Sequence, residues 1–197
     1  VRKVARAARE MRLQALTLYA FSSENWRRTE EEISDLLGLL RHFIRADLAE
    51  MVRENVQLRV IGNYRVFPDD VVAMIDDALA RTAPNDGPML AVALNYGAQD
   101  ELVRAARAVA AKAAAGQIAP EAIDPALIEA ELDTADLPPL DLVIRTSGEK
   151  RLSNFLLWQA AYAELYFTDT LWPDFGEADF RAALDDFGQR QRRYGGR

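Results

Sequence analysis

The chain contains no cysteine and a single histidine, His42. Without cysteine there is neither a disulfide framework nor a thiolate metal site. One histidine leaves no histidine-based metal cluster, and it makes a Ser-His-Asp triad improbable. No apolar run reaches the roughly 18 to 20 residues that span a bilayer, and no signal peptide is visible at the start. Basic residues are outnumbered: 24 Lys and Arg stand against 31 Asp and Glu, for a formal net charge of -7. That balance argues against general nucleic-acid binding, so no nucleic-acid partner is expected. Neither GxGxxG after a strand nor GxxxxGK[ST] occurs, so dinucleotide and Walker-type sites lack support. Any anion site must be a local feature of an acidic surface. The expectation is a soluble cytoplasmic protein.

What is present is a core. Half of the 197 residues are hydrophobic, enough for one packed domain spanning 1–197. Helical and strand-like patterns alternate along it. A helix is predicted over 1–12, and "ALTLYAF" (15–21) reads as a buried strand. From Glu30 to Asn55 the positions Ile33, Leu36, Leu37, Leu40, Ile44, Leu48, Met51 and Val52 keep helical spacing over about seven turns. "QLRVIG" (57–62) is a strand; Pro68 opens a helix to about Arg81; "PMLAVALNYG" (88–97) is a strand; an Ala-rich helix runs from Gln99 to about Ala115. A short helix from Pro125 to about Leu132 follows, then a strand at 141–146. Helical or partly helical chain begins at Ser153, "LYF" (165–167) suits a short strand, and a last helix runs from Glu177 to about Arg193. The order implies an α/β fold with a mostly parallel central sheet flanked by helices.

In open α/β sheets ligands bind beyond the carboxyl ends of the strands. Three segments stand there: "FSSENWRR" (21–28), "NYG" (95–97) and "RTSGEKRLS" (145–153). Two of them combine arginine with hydroxyls or amides, and arginine's planar fork suits phosphate. A helix starting near Ser153 would add backbone N–H groups aimed at an anion. Together these describe a diphosphate cradle. The competing reading is that Arg28, Arg145 and Arg151 make ordinary surface ion pairs. Adjacent acidic pairs such as Asp69-Asp70 and Asp185-Asp186 are read as solvated helix faces, since none makes a DDxxD. His42 is read as a packing or surface residue. Trp26 is set apart from the other tryptophans because polar groups flank it on both sides.

"LTLYAFSSENWRR", "LRVIG", "LNYG" and "DLVIRTSGEKRLSNFLLWQAAYAELYFTDTLWPDF" resemble the cis-prenyltransferases, in particular bacterial undecaprenyl diphosphate synthases. The similarity runs from about Leu13 to the C-terminus. It implies a homodimer with a parallel sheet and a hydrophobic tunnel. It also implies condensation of isopentenyl diphosphate with an allylic diphosphate such as farnesyl diphosphate, using Mg2+, to a cis-polyprenyl diphosphate, the lipid carrier for cell-wall glycan assembly. Product release implies a peripheral membrane contact. The resemblance assigns Asn25 to proton removal from the condensing isopentenyl unit and Ser22, Ser23, Glu24, Trp26 and Arg28 to the substrate site. It assigns Arg145, Arg151, Leu152 and Ser153 to the isopentenyl diphosphate and Glu164 to magnesium.

The chain departs from the family at Ser147, where glycine is usual, and at Thr29, where proline is common. The family's opening strand and its M-D-G-N-G-R-W loop, whose aspartate binds magnesium and diphosphate, have no match before Val1, a shortfall of roughly 40 to 50 residues. The expectation is therefore that this polypeptide, as written, is inactive or nearly so. The rivals are a non-catalytic partner subunit of the same fold and a lipid-diphosphate binding protein. The ending that holds Arg193, Tyr194 and Gly195 resembles the family's R-x-G, which reaches a partner's active site; a cationic helix end is the alternative.

Overall fold

A computed structural model describes residues 1–191, arranged as two compact units. One comprises Gln14–Leu137. The other combines Val1–Leu13 with the described residues from Pro138 onward. Arg193, Tyr194 and Gly195 lie outside the described residues.

The first unit is built on strands β1 (Ala15–Ser22), β2 (Gln57–Ile61) and β3 (Met89–Tyr96). They form one parallel sheet in the order β1-β3-β2. Leu90 aligns with Leu16 and Leu58, and Val92 with Leu18 and Val60. The central strand β3 is buried from Leu90 to Leu94 on both faces, as expected of a parallel sheet covered on each side. One face meets helices α2 (Glu30–Arg53) and α3 (Asp69–Thr82), whose Leu37, Ile44, Leu48, Val71 and Ile75 join Leu58, Leu90, Val92 and Leu94 in a single apolar cluster. Each such side chain contributes about 1.5–3 kcal/mol on burial.

Thr29 shows why α2 starts where it does. Its hydroxyl accepts from the Glu32 N–H at 3.3 Å, and the Glu32 carboxylate accepts from the Thr29 N–H at 3.1 Å. This reciprocal cap satisfies two of the helix's orphan donors. The hydrogen bond from the Thr29 backbone is the main reason the Glu32 carboxyl titrates below its ordinary range. His42 stands exposed on α2. Helices α4 (Ala98–Ala114) and α5 (Pro125–Glu129) complete this unit. The latter stops three residues short of the expected Leu132, where the chain passes into turns strapped down by ion pairs from Lys112 to Glu131 and from Arg59 to Asp136.

In the second unit β4 (Leu142–Arg145) and β5 (Glu164–Phe167) pair in parallel, Leu142 opposite Glu164. Helix α1 (Arg2–Glu10) packs against α6 (Glu177–Gln189). The last helix was expected to reach Arg193, but it ends at Gln189. Arg190 is extended instead, and its guanidinium turns back to Asp186 and Glu164. All strand pairs here are parallel, so the α/β class and the parallel pairing agree with the sequence pattern.

Candidate active site

Two ladder irregularities, between Tyr19 and Phe21 and between Phe21 and Ser22, lead β1 out of register with β3. The chain then makes a 3-10 turn over Ser23–Arg27. Within it the Ser22 N–H donates to Asn25 Oδ1 at 2.8 Å. The Trp26 Nε1–H donates to Asn95 Oδ1 at 2.8 Å, and Asn95 Nδ2 donates to the Asn63 carbonyl at 2.9 Å. The segments after β1 and β2 therefore meet the last residues of β3 at the carboxyl edge of the sheet. The indole also packs edge-on against Phe21 and tilted against Phe67, with centroids 5.2 and 5.8 Å away, yet Trp26 stays 39% exposed. Ser22 and Ser23 are half-buried and Glu24 is exposed. Arg28 forms an i,i+4 ion pair with Glu32 at 3.5 Å, both side chains about half exposed. Such a pair contributes little to stability.

In the other unit β4 ends on Arg145, whose Nη1–H donates to Ser153 Oγ at 2.9 Å. The intervening turn is fixed by its backbone. Ser147 and Gly148 both have φ of 70°, and their N–H groups donate to the Thr170 and Thr168 carbonyls at 2.9 Å. Arg151 is ion-paired with Glu149 and 63% exposed, and Leu152 is half-buried.

The helix expected from Ser153 is not formed. Ser153, Asn154 and Leu156 take left-handed φ of 50°, 59° and 47°, the chain runs through turns, and only a 3-10 turn over Gln159–Tyr162 follows. Serine and asparagine bond locally to the backbone in such conformations, which competes with helix. No helix N-terminus adds N–H groups to an anion here. Of the expected cradle residues, Arg145 and Ser153 are joined directly, while Arg151 pairs with Glu149. In the apolar run behind them Leu156 is 2% exposed and belongs to the core, Phe155, Leu157 and Trp158 are half-buried, and Tyr162 is 73% exposed.

Glu164 opens β5. Its Oε2 accepts from Arg190 Nη1 at 2.9 Å, and each side chain is 30% exposed. Among the described residues no three Asp, Glu or His side chains gather into a metal cage.

Several residues that shape these segments carried no role in the sequence reading. Asn95 sits in the noted "NYG" but its contact with Trp26 spans 69 residues. Asp133 lies in a loop with no pattern to betray it. It chelates Arg104 through two bonds of 2.8 Å and accepts the Gly62 N–H at 2.8 Å. Burial would raise the Asp133 carboxyl, but the bonds from Arg104 and Gly62 outweigh it and hold it below the ordinary range. Glu101, 1% exposed, accepts from the Tyr96 hydroxyl at 2.6 Å and from the Asp133 N–H at 2.9 Å.

The family described as undecaprenyl diphosphate synthase matches residues 1–195. An isoprenyl transferase of Zymomonas mobilis is 57% identical over 196 residues, covering 100% of this chain and 79% of that protein. One from Bacillus subtilis is 47% identical, covering 100% of this chain and 75% of the other. Lavandulyl diphosphate synthase from Lavandula x intermedia, solved with dimethylallyl diphosphate, superposes with a TM-score of 0.94 at 36% identity, over 98% of this chain and 84% of that one. A probable undecaprenyl diphosphate synthase from Campylobacter jejuni gives 0.86 at 35% identity, over 98% and 89%. An α/β chain with parallel strands, arginine and serine brought together after β4, and this extent of identity belongs to the undecaprenyl diphosphate synthase family, and is a transferase of the cis-prenyltransferase type.

Proposed function

We propose that the chain condenses isopentenyl diphosphate with an allylic diphosphate, farnesyl diphosphate first, and repeats the step to build the cis-polyprenyl diphosphate that carries cell-wall glycan units. The observation that carries this reading is the 2.9 Å hydrogen bond from Arg145 to Ser153, a guanidinium and a hydroxyl placed within reach of one anion. A relative solved with dimethylallyl diphosphate, itself an allylic diphosphate, supports an allylic substrate.

In each cycle the allylic C–O bond breaks and diphosphate leaves with the electron pair. The isopentenyl double bond forms the new C–C bond, and a proton is lost from the isopentenyl unit to restore a double bond. Arg145, Arg151 and Ser153 hold the isopentenyl diphosphate. Arg151 exchanges Glu149 for the substrate, and its guanidinium stays charged throughout. The Asn25 amide assists the departing proton, which ends on the released diphosphate. Asn25 is no strong base, so it contributes placement and a hydrogen bond, with Ser22, Ser23, Glu24, Trp26 and Arg28 shaping the surroundings.

Magnesium is commonly held by only one or two carboxylates together with substrate phosphates. Glu164, whose Oε2 is held by Arg190 and whose side chain is 30% exposed, would offer its carboxylate to Mg2+ as one such ligand in exchange for that ion pair. When bound, the ion neutralises charge that grows on the leaving group. Half-buried Ile33, Leu36, Leu40 and Phe43 of α2 and Val72 and Met74 of α3 surround the first unit's core and suit an apolar product tunnel.

The full picture includes a homodimer, a cytoplasmic location and a peripheral membrane contact for product release. Among the described residues no helix is long and apolar enough to cross a membrane.

The test is elongation by the full gene product with labelled isopentenyl diphosphate, farnesyl diphosphate and magnesium. Long polyprenyl products are expected, with Arg145→Ala and Ser153→Ala raising KM for isopentenyl diphosphate roughly tenfold or more, the loss of one charged hydrogen bond. Binding of isopentenyl diphosphate without any product would replace this reading with a non-catalytic partner subunit.

A further inference from the structure

Asn95 takes no part in the chemistry just described, yet it holds the turn on which Asn25 sits. We propose that Asn95 is a positioning residue for condensation: it fixes the indole of Trp26 and through it the orientation of Asn25, one residue earlier. The inference rests on the assignment of Asn25 to proton removal.

Both ends of the Asn95 amide are committed. Oδ1 accepts from Trp26 Nε1–H at 2.8 Å and Nδ2 donates to the Asn63 carbonyl at 2.9 Å. The flipped amide would set donor against donor and acceptor against acceptor, so the orientation is unique. Asn95 itself lies in the left-handed region at φ 48°, a conformation asparagine tolerates better than most residues. Its carbonyl accepts from the Asn63 N–H at 3.2 Å, closing a two-way link between the chain ends of β2 and β3.

The neighbours of that link are anchored in turn. Tyr96 is fully buried; its hydroxyl is bonded to Glu101 and its carbonyl accepts from the Tyr19 hydroxyl at 3.1 Å. Gly62 is held by Asp133 through its N–H. Glu101 joins the two anchors by accepting from the Asp133 N–H.

Stability alone gives little reason for this arrangement. Trp26 is 39% exposed, so water could satisfy its N–H in place of Asn95. What the contact adds is a fixed direction. The 3-10 turn is only five residues long and is tied at its start by the Ser22 N–H to Asn25 Oδ1 bond. A tilt of the indole therefore passes directly to Asn25. Misplacement of a catalytic group by about 1 Å costs on the order of a hundredfold in rate.

The experiment compares Asn95→Ala, Trp26→Phe, their double variant and Asn25→Ala in steady-state condensation by the full gene product. Asn95→Ala is expected to lower kcat roughly ten- to a hundredfold while KM for isopentenyl diphosphate and the melting temperature stay near wild type. Trp26→Phe keeps the ring and removes the N–H. It should give a similar loss, with the double variant little worse than either. Asn95→Asp keeps an acceptor for the indole but sets a carboxylate oxygen against the Asn63 carbonyl, so its kcat should fall between wild type and Asn95→Ala with a lowered melting temperature. Independently of turnover, the Trp26 indole N–H should exchange slowly with solvent in the wild type and rapidly in Asn95→Ala. A wild-type kcat for Asn95→Ala beside a loss for Asn25→Ala would overturn the positioning role alone, as would losses that multiply in the double variant. An unchanged kcat for Asn25→Ala would overturn the assignment of Asn25 to proton removal, and this inference with it, while leaving the condensing activity itself standing; no product from the wild type would overturn that activity instead.

Discussion

Gly62, just past the end of β2, has little freedom to change. Its φ is 94°, and a Cβ there would stand 2.4 Å from the Leu94 carbonyl oxygen and 2.9 Å from Tyr96 Cβ. The first of these is backbone of the central strand and cannot swing aside. Gly62→Ala is expected to cost about 2–3 kcal/mol through this clash and the strained φ, read as a lowered denaturant midpoint; an unchanged midpoint would mean that β2 can shift at no cost. The sequence showed a glycine ending a strand but not what approached it. The same contrast holds for the candidate side chains. Arg145, Arg151 and Ser153 stand out in the sequence because arginine and serine after a strand is a local pattern. Asn95 was not, because its partner lies far off along the chain and only the folded sheet brings the two together. Arg28 fits the same local pattern, and its guanidinium pairs with Glu32 one turn on.

At the scale of elements, α4 is fastened to the end of β3 and to the loop after α5 by one buried carboxylate. Removing it as Glu101→Ala leaves the Tyr96 hydroxyl and the Asp133 N–H without their acceptor in a closed interior. The expected loss is about 2–4 kcal/mol, with Glu101→Gln milder because one oxygen remains. Urea unfolding of both variants checks the order, and equal losses would count against the hydrogen-bond account. The helices themselves were readable to within a few residues, since apolar spacing and the Thr29–Glu32 cap are local signals. Where the reading failed, the backbone had other options. Apolar chain after Ser153 looked helical, but left-handed Ser153, Asn154 and Leu156 break it into turns while still burying Leu156. The end of α6 was misplaced because Arg190 satisfies itself on Glu164 and Asp186, partners that helical periodicity cannot reveal. Strand number and parallel pairing followed from the alternation of elements, whereas the order β1-β3-β2 depends on tertiary packing.

For the molecule as a whole, acid should be the destabilising direction. Asp70 is lowered chiefly by its hydrogen bond from Arg41, and Asp76 chiefly by that from the Tyr64 hydroxyl. In Asp133 the bonds from Arg104 and Gly62 prevail over burial. Each carboxyl titrates lower in the folded chain than in the unfolded one. Their contribution is thus complete above the ordinary carboxylate range, near pH 4, and drains away as pH falls through the lowered values. Calorimetry is expected to give a melting temperature insensitive to these groups at neutral pH and falling below about pH 4; a melting temperature that rose on acidification would reverse the assignment. One further property follows from the single imidazole exposed on α2. The proton spectrum of these 197 residues is expected to hold one histidine spin system, sited on the helix whose half-buried side chains we assign to the product. Polyprenyl analogues of increasing length, added while that one pair of lines is followed, would report how far the helix yields to a growing hydrocarbon, with no dye, label or tag.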